Sequence, residues 1–178
     1  ADLVTAGYMT ADIGTDHAYI PIYLIENGRI PGAVAADVNR GPLERARFNV
    51  TENGMNDRID LRISDGFSAI HPGEVRSAVI AGMGGALMVR ILTEGAEAVK
   101  MLDECILQPQ SEIEKVRTFL LQEGFLFLDE VMVEEDGKYY TAMKTVPGNG
   151  TAGKETAGWN EPELRYGRLL LEKRDPVL

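Results

Sequence analysis

Acidic residues lie at the ends of three predicted strands. Asp12 lies in A-D-I-G-T-D-H at 11–17, Asp37 follows the second strand and Asp65 follows the third. In doubly wound sheets, ligands bind at the carboxyl ends of the parallel strands. Carboxylates at this edge would repel a diphosphate but would suit the ammonium and sulfonium charges of S-adenosylmethionine. The three acids therefore favour that cofactor over NAD.

Each of the three acidic segments also has a purely structural interpretation. Asp16 could cap the first helix, Asp37 could cap a helix that starts near Pro42, and Asp65-Gly66 could be a simple turn. Taken together, the positions favour a nucleoside site. Asp37 suits the ribose hydroxyls, and Asp65 could accept an adenine amino hydrogen.

Two loops on the same predicted edge carry further candidates. The segment A-G-M-G-G at 81–85 concentrates glycine after the fourth strand, which favours close approach of the backbone to a ligand over a plain tight turn. Gln108 follows the fifth strand, and its amide can both donate to and accept from a base edge. The alternative for that loop is a helix entry with Pro109 in the first turn.

Composition excludes several classes of protein. The 178 residues are 44% hydrophobic and carry a formal charge of −10, which indicates a globular domain that repels nucleic acid unless basic residues cluster. We predict no metal site, since His17 and His71 are the only histidines and lack neighbours at ligand spacing. Cys105 alone excludes a disulfide framework and is expected in the core. With no signal peptide or membrane-spanning run, we expect a cytoplasmic protein.

The pattern of strands and helices predicts an α/β sandwich with a mostly parallel sheet and a terminal hairpin. The predicted strands are Tyr8–Ile13, Ala33–Ala36, Ile59–Ile63, Ala78–Ala81, Cys105–Leu107, Phe125–Val133 and Tyr139–Val146. The predicted helices are Tyr19–Glu26, Pro42–Asn53, Ala86–Ala98, Ile113–Gln122 and Glu161–Lys173. A Gly-rich linker is expected at 147–160. Because the chain starts at Ala1 and stops within a helical pattern, we expect a piece of a longer protein.

The motifs in order resemble one known family. A-D-I-G-T-D-H-A-Y-I-P, A-D-V-N-R-G-P-L, S-D-G-F, I-A-G-M-G-G, L-Q-P and E-D-G-K-Y-Y are similar to those of the bacterial tRNA adenine-N1 methyltransferases that modify adenosine 22 of the D-arm. The resemblance implies a Rossmann-like class I methyltransferase domain over 1–146, with seven strands and no metal. It also implies that 161–178 begins a helical, coiled-coil-like extension that is truncated here. S-adenosylmethionine would be the cofactor, S-adenosylhomocysteine the product and tRNA the partner.

The resemblance also implies roles for individual residues. Cofactor binding falls to the methionine-side residues Asp12, Gly14, Asp16 and His17, the ribose-side Asp37 and Val38, the adenine-side Asp65 and Gly66, and the transfer-point residues Gly82, Met83 and Gly84. No catalytic acid or base is assigned, because adenine N1 already has a lone pair. The candidates for positioning the base are His17, Tyr19, Asn39, Gln108 and Tyr140.

Two alternatives remain open from the sequence. The charge of −10 favours a methyltransferase for a small molecule or a protein. A non-catalytic module that binds S-adenosylmethionine is the other. Local clusters such as Arg40, Arg45 and Arg47 on one predicted helix keep RNA as the leading substrate class. No membrane partner is expected, and the sequence leaves the oligomeric state open.

Overall fold

The computed structural model describes residues 1–148 and 158–178 and contains one seven-stranded sheet. The strands are β1 (Thr10–Ile13), β2 (Ala33–Asp37), β3 (Ile59–Ile63), β4 (Ser77–Gly84), β5 (Glu104–Ser111), β6 (Leu126–Glu135) and β7 (Lys138–Val146). The helices are α1 (Tyr19–Glu26), α2 (Arg40–Glu52), α3 (Gly85–Glu94), α4 (Ala96–Val99), α5 (Ile113–Gln122), α6 (Glu161–Tyr166) and α7 (Arg168–Lys173). The predicted α/β architecture is confirmed.

The strand order creates a switch point in the middle of the sheet. The order is β3-β2-β1-β4-β5-β7-β6, in which β1 to β5 run parallel and β6 and β7 form an antiparallel hairpin. From β1 the chain proceeds outward to β2 and β3, then returns to place β4 on the other side of β1. The crevice at the carboxyl ends of β1 and β4 is therefore where a ligand is expected.

Alternation along the buried strands produces a core on each face of the sheet. In β2, Ala33 and Ala35 pack with residues of α1 and α2, whereas Val34 and Ala36 pack with residues of α3 and α5. This period of two is the side-chain period of a strand, and both faces are apolar because helices cover both. The sheet is thus held rigidly between two helical layers.

Three predicted boundaries in the middle of the chain are wrong. The predicted strand Ala78–Ala81 continues to Gly84, so Gly82, Met83 and Gly84 lie at the end of β4 and not in a segment after it. The predicted helix Ala86–Ala98 is interrupted at Gly95, whose backbone packs so tightly on Phe67 that a Cβ would lie 2.5 Å from a ring carbon. The predicted strand Cys105–Leu107 is longer, because pairing with β4 continues to Ser111. Pro109 consequently lies inside β5, and the alternative that placed it in the first turn of a helix is wrong.

The predicted single helix Glu161–Lys173 is also broken, at Gly167. Gly167 has φ +97°, a conformation that side chains rarely adopt, and α6 ends there while α7 begins immediately after it. Asn160 caps the start of α6 in a capping box with Glu163. Part of the predicted linker at 147–160, namely residues 149–157, lies outside the described residues.

A buried ion pair attaches this C-terminal segment to the sheet. Arg117 Nε donates to Glu130 Oε1 at 2.9 Å, and the two side chains are 1% and 0% exposed. Arg117 Nη1 also donates to the carbonyl of Leu164 near the end of α6, and Glu130 Oε2 accepts from the N–H of Leu169 at the start of α7. The Arg117 cation therefore lies at the carboxyl end of α6, and the Glu130 anion lies at the amino end of α7. Each helix end carries the partial charge opposite to that of the side chain.

Breaking this ion pair is expected to destabilise the protein strongly. Arg117→Met leaves Glu130 buried without its cation, which we expect to lower the free energy of unfolding by about 3–5 kcal/mol. The double variant Arg117→Met/Glu130→Met should recover much of that loss, because neither charge is then buried alone. Urea denaturation measures both values.

Lys100→Met is the matched control, since Lys100 pairs with Glu97 on an exposed surface. We expect it to change stability by less than about 1 kcal/mol. A double variant at least as unstable as Arg117→Met would contradict the assignment of the loss to an unpaired charge.

Candidate functional site

The turn after β1 brings the ends of β1 and β2 together. Gly14 has φ +75°, and the N–H groups of Gly14 and Thr15 both donate to the carbonyl of Ala36, at 2.8 and 3.0 Å. A side chain at position 14 would collide with the methyl group of Met83, which reaches across from β4. Glycine is thus favoured by the positive φ, and any side chain here would displace the Met83 methyl group.

Asp12 is a buried carboxylate at this turn. Its side chain lies at the end of β1 and is only 3% exposed. Burial raises the pKa of Asp12 from 3.8 to about 6, the hydrogen bond from Thr15 opposes that rise, and the charge of Asp37 adds to it. The Thr15 hydroxyl donates to Oδ2 at 2.6 Å. A positively charged ligand would relieve the unfavourable charge at this position.

Asp37 faces the same turn from the end of β2. Its Oδ1 accepts from the N–H of Asn39 at 2.9 Å, and its Oδ2 accepts a longer bond of 3.4 Å from the N–H of Asp16. The N-cap positions of α1 and α2 are occupied by Ala18 and Asn39, so the interpretation of Asp16 and Asp37 as helix caps is wrong. The nearly buried Asp37 carboxylate is held in a fixed orientation at the crevice.

Asp16 and His17 form the outer lip of the crevice. Asp16 Oδ1 accepts from Arg45 Nη2 at 2.5 Å, and His17 Nε2 lies 3.4 Å from Asp16 Oδ2. The His17 ring stacks on Tyr19 with 5.0 Å between centroids and 18° between planes. The Tyr19 ring is 64% exposed, so the stacked pair presents a flat aromatic surface beside the two buried carboxylates.

Asp65 and Gly66 follow β3 at the far end of the same edge. Arg90 on α3 holds the Asp65 carboxylate with two hydrogen bonds, of 2.9 and 3.2 Å. A cavity of about 290 Å³ opens here between Asp65, Ile91 and Glu94, and none of the residues that line it comes from the turns after β1 and β2. It is therefore separate from the crevice at the switch point, and Arg90 occupies part of the acceptor capacity of Asp65.

The glycine-rich end of β4 faces the turn after β1. The N–H of Gly82 donates to Gln108 Oε1 at 2.9 Å, which fixes the Gln108 amide with its oxygen toward β4. Met83 contacts Gly14 as described, and Gly84 is the N-cap residue of α3. The crevice is thus bounded on one side by the β1 turn and on the other by the glycine-rich end of β4.

The remaining sequence-predicted residues lie along the same edge. Val38 and Asn39 follow β2 and are exposed, Val38 by 57%. In the antiparallel register, Leu107 of β5 pairs with Met143 of β7, so the start of β7 extends toward the carboxyl end of β5. This places Tyr140 at the same sheet edge as Gln108, one strand farther from the switch point.

Three contributors were not identified from the sequence. Thr15 holds Asp12, Asn49 donates to the carbonyl of His17 at 2.9 Å, and Arg90 holds Asp65. Thr15 lies within the A-D-I-G-T-D-H segment, so its proximity to Asp12 was available as a signal. Asn49 and Arg90 come from helices distant in sequence from their partners, and no local pattern identifies them.

Metal ligands and membrane spans were sought in the described residues, 1–148 and 158–178. This part of the chain holds no group of three or more His, Cys, Asp or Glu side chains placed to bind a metal ion. None of its helices combines the length and hydropathy of a membrane span. Cys105 is buried in β5, where burial raises the pKa of its thiol to about 12.

Known proteins match both the sequence and this geometry. Residues 1–143 match the family described as a methyltransferase domain. The tRNA (adenine(22)-N(1))-methyltransferase of Bacillus subtilis is 38% identical over 170 residues, which span 96% of this chain and 69% of that protein.

Two solved structures share the fold closely. Sp1610 of Streptococcus pneumoniae, in complex with S-adenosyl-L-methionine, has a TM-score of 0.90 and 34% identity over 99% of this chain and 79% of that one. TrmK of M. capricolum, in complex with S-adenosyl-homocysteine, has a TM-score of 0.78 and 26% identity over 93% of this chain and 71% of that one. Because residues 1–143 match a methyltransferase domain and the chain is 38% identical to the Bacillus enzyme, it belongs to the family of tRNA (adenine(22)-N(1))-methyltransferases.

Proposed function

We propose that the protein transfers a methyl group from S-adenosylmethionine to N1 of adenosine 22 in bacterial tRNA, with S-adenosylhomocysteine as the product. The observation that carries this function is the convergence of Asp12, Asp37 and the turn at Gly14 at the switch point of the sheet. The family membership of the chain selects the substrate. A cytoplasmic location agrees with the reduced, buried Cys105.

The residues at the switch point fit this cofactor. The Gly14 turn brings backbone N–H groups close to Asp12, whose carboxylate gains from a nearby positive charge such as that of the methionine portion. Asp37 has one oxygen engaged only at 3.4 Å, so acceptor capacity remains for ribose hydroxyls. We assign Asp16 and His17 to the methionine side, Val38 to the ribose face, Asp65 and Gly66 to adenine, and Gly82 to Gly84 to the transfer point.

The chemistry requires positioning more than proton transfer. When bound, S-adenosylmethionine supplies a methyl group on a positively charged sulfur. Adenine N1 must be placed in line with the bond between that sulfur and the methyl group. Because N1 already has a lone pair, the protein does not need to supply a general base. No acid or base is therefore assigned, and catalysis depends on the residues that orient the target adenine.

The orienting residues lie around the mouth of the crevice. We assign the His17–Tyr19 stack to the face of the target base, since adenine taken out of its pairing stacks on aromatic rings. Gln108, held by the N–H of Gly82, and Asn39, at the end of β2, are assigned to polar edges of the base. Tyr140, one strand farther along the edge, is a second stacking candidate.

The acidic crevice also suits the charge that the reaction moves. Methylation at N1 leaves the adenine positively charged, whereas the sulfur loses its charge. Asp12 and Asp37 are fixed before the reaction by Thr15 and by backbone N–H groups, so they need no reorganisation as the charge shifts. We assign residues 1–146 as the catalytic domain and 161–178 as the beginning of a helical extension.

Transfer of a labelled methyl group to tRNA tests the proposed function. The 178-residue chain is incubated with labelled S-adenosylmethionine and two unmodified transcripts that differ only in whether position 22 is adenosine. Label on the adenosine-22 transcript alone is expected, with activity that falls steeply as salt rises, because phosphate contacts release counterions.

The other outcomes select the alternatives. Cofactor binding without label on either transcript would contradict the tRNA substrate and would leave a small-molecule or protein methyltransferase, or a non-catalytic binding module. Equal label on both transcripts would retain the enzyme but would contradict adenosine 22 as its site.

Replacing Asp37 tests the cofactor assignment. Asp37→Asn keeps the size of the side chain but removes the charge that strengthens hydrogen bonds to the ribose, so affinity for S-adenosylhomocysteine is expected to fall by about 10–100-fold. Isothermal titration calorimetry measures the Kd. Asp57→Asn, at an exposed position near β3, is the control and should leave the Kd unchanged. Equal affinity of Asp37→Asn and the wild type would exclude Asp37 from the ribose site.

A further inference from the structure

Large exposed rings continue outward from the stacked pair at the crevice. Tyr19 and Tyr23 on α1 are 64% and 51% exposed, and Phe48 on α2 is 66% exposed. Arg45, one turn before Phe48, has a half-exposed side chain. We call these four residues, Tyr19, Tyr23, Arg45 and Phe48, the aromatic platform.

Packing of the core does not account for Phe48. The inward face of α2 is made by Leu43, Ala46 and Val50, which are buried. At 100° per residue, position 48 points away from that face, and the ring is left in water. An exposed phenylalanine on α2, together with two exposed tyrosines on the neighbouring α1, leaves apolar area in water of the kind that marks an interaction surface.

Two contacts fix the platform beside the crevice. Asn49 Nδ2 donates to the carbonyl of His17 at 2.9 Å, and Arg45 Nη2 donates to Asp16 Oδ1 at 2.5 Å. Phe48 lies between Arg45 and Asn49 in the sequence of α2, so it is at the level of the His17–Tyr19 stack. The axes of packed helices are about 8–10 Å apart, a spacing that one or two nucleotides of an RNA strand can bridge.

We propose that the aromatic platform binds the nucleotides that flank the methylated adenosine in the RNA strand. This inference rests on the proposed function, because it extends the same crevice outward. Tyr23 and Phe48 would stack on the bases next to the target, and Arg45 would meet a backbone phosphate. The target base must be unpaired for N1 to be reached, and rings beside the crevice would hold the strand while that base is exposed.

Charge and continuity favour RNA as the occupant. Asp16 orients Arg45 but leaves about half of its side chain exposed, which places a cation among rings on a chain whose net charge is −10. The platform joins the His17–Tyr19 stack at the mouth of the crevice, so a strand entering the crevice passes over it. The net charge of −10 opposes RNA and a second copy of this chain alike, so the local cation and the continuity with the crevice decide between them.

Single substitutions on the platform test the proposal by steady-state kinetics. Phe48→Ala and Tyr23→Ala are each expected to raise KM for tRNA by about tenfold, the loss of one stacked base, with kcat and KM for S-adenosylmethionine unchanged. Phe48→Trp should restore a low KM, because it keeps a stacking surface. Circular dichroism and thermal melting confirm that each variant is folded.

The matched controls are Met101→Ala and Leu128→Ala, which remove similarly exposed apolar side chains on other faces, 58% and 54% exposed. They should leave KM for tRNA unchanged. Phe48→Ala with wild-type kinetics would overturn the platform while leaving the proposed function intact. Sedimentation showing that the wild type self-associates and Phe48→Ala does not would also overturn it, in favour of an interface between copies. A wild type inactive on the adenosine-22 transcript would overturn the proposed function and this inference together.

Discussion

The site depends on two carboxylates held close together in a buried place. Asp12 and Asp37 end neighbouring parallel strands, and each lies where little water can screen its charge. The raised pKa of Asp12 shows that its charged form is unfavourable here. Burial is the main cause, and the charge of Asp37 adds to it. Because the folded state disfavours the charged form, Asp12 contributes less stability as pH rises through about 6. A cationic ligand offsets that cost, which links the acidity of the crevice to its ligand.

The fold supports this arrangement through a few backbone contacts. The carbonyl of Ala36 accepts from both Gly14 and Thr15, which closes the β1 turn against the end of β2. Thr15 and Asn39 then hold the two carboxylates in place. The site is therefore preorganised by parts of the chain that the sheet itself fixes, and the helices on both faces keep those strands from shifting. The exposed rings beside the crevice add a surface that the core does not require.

Much of this was predictable from the sequence because local rules decide it. Tyr19–Glu26, Ile59–Ile63 and Ile113–Gln122 are confirmed residue for residue, since periodicity and turn residues mark their limits. Acids at strand ends were predictable because parallel strands place their carboxyl ends on one edge. The roles assigned to individual residues in cofactor and base binding stay predictions.

The rest depended on contacts between distant segments. The break at Gly167 is set by the buried pair of Arg117 and Glu130, which are remote from it in sequence. The extension of β5 through Pro109 depends on its pairing with β4. Likewise, no local sequence pattern indicates that Arg90 donates to Asp65. Tertiary contacts override local propensity at these positions, so periodicity alone could not locate them.

The titration of Asp12 tests whether the acidic crevice is built for a cationic ligand. Carboxyl carbon NMR, assigned by comparison with Asp12→Asn, follows the Asp12 pKa in the free protein and in the presence of saturating S-adenosylmethionine. We expect a pKa of about 6 in the free protein and a clearly lower pKa with the cationic cofactor bound. An Asp12 pKa that stays the same on cofactor binding, or an ordinary value in the free protein, would contradict it.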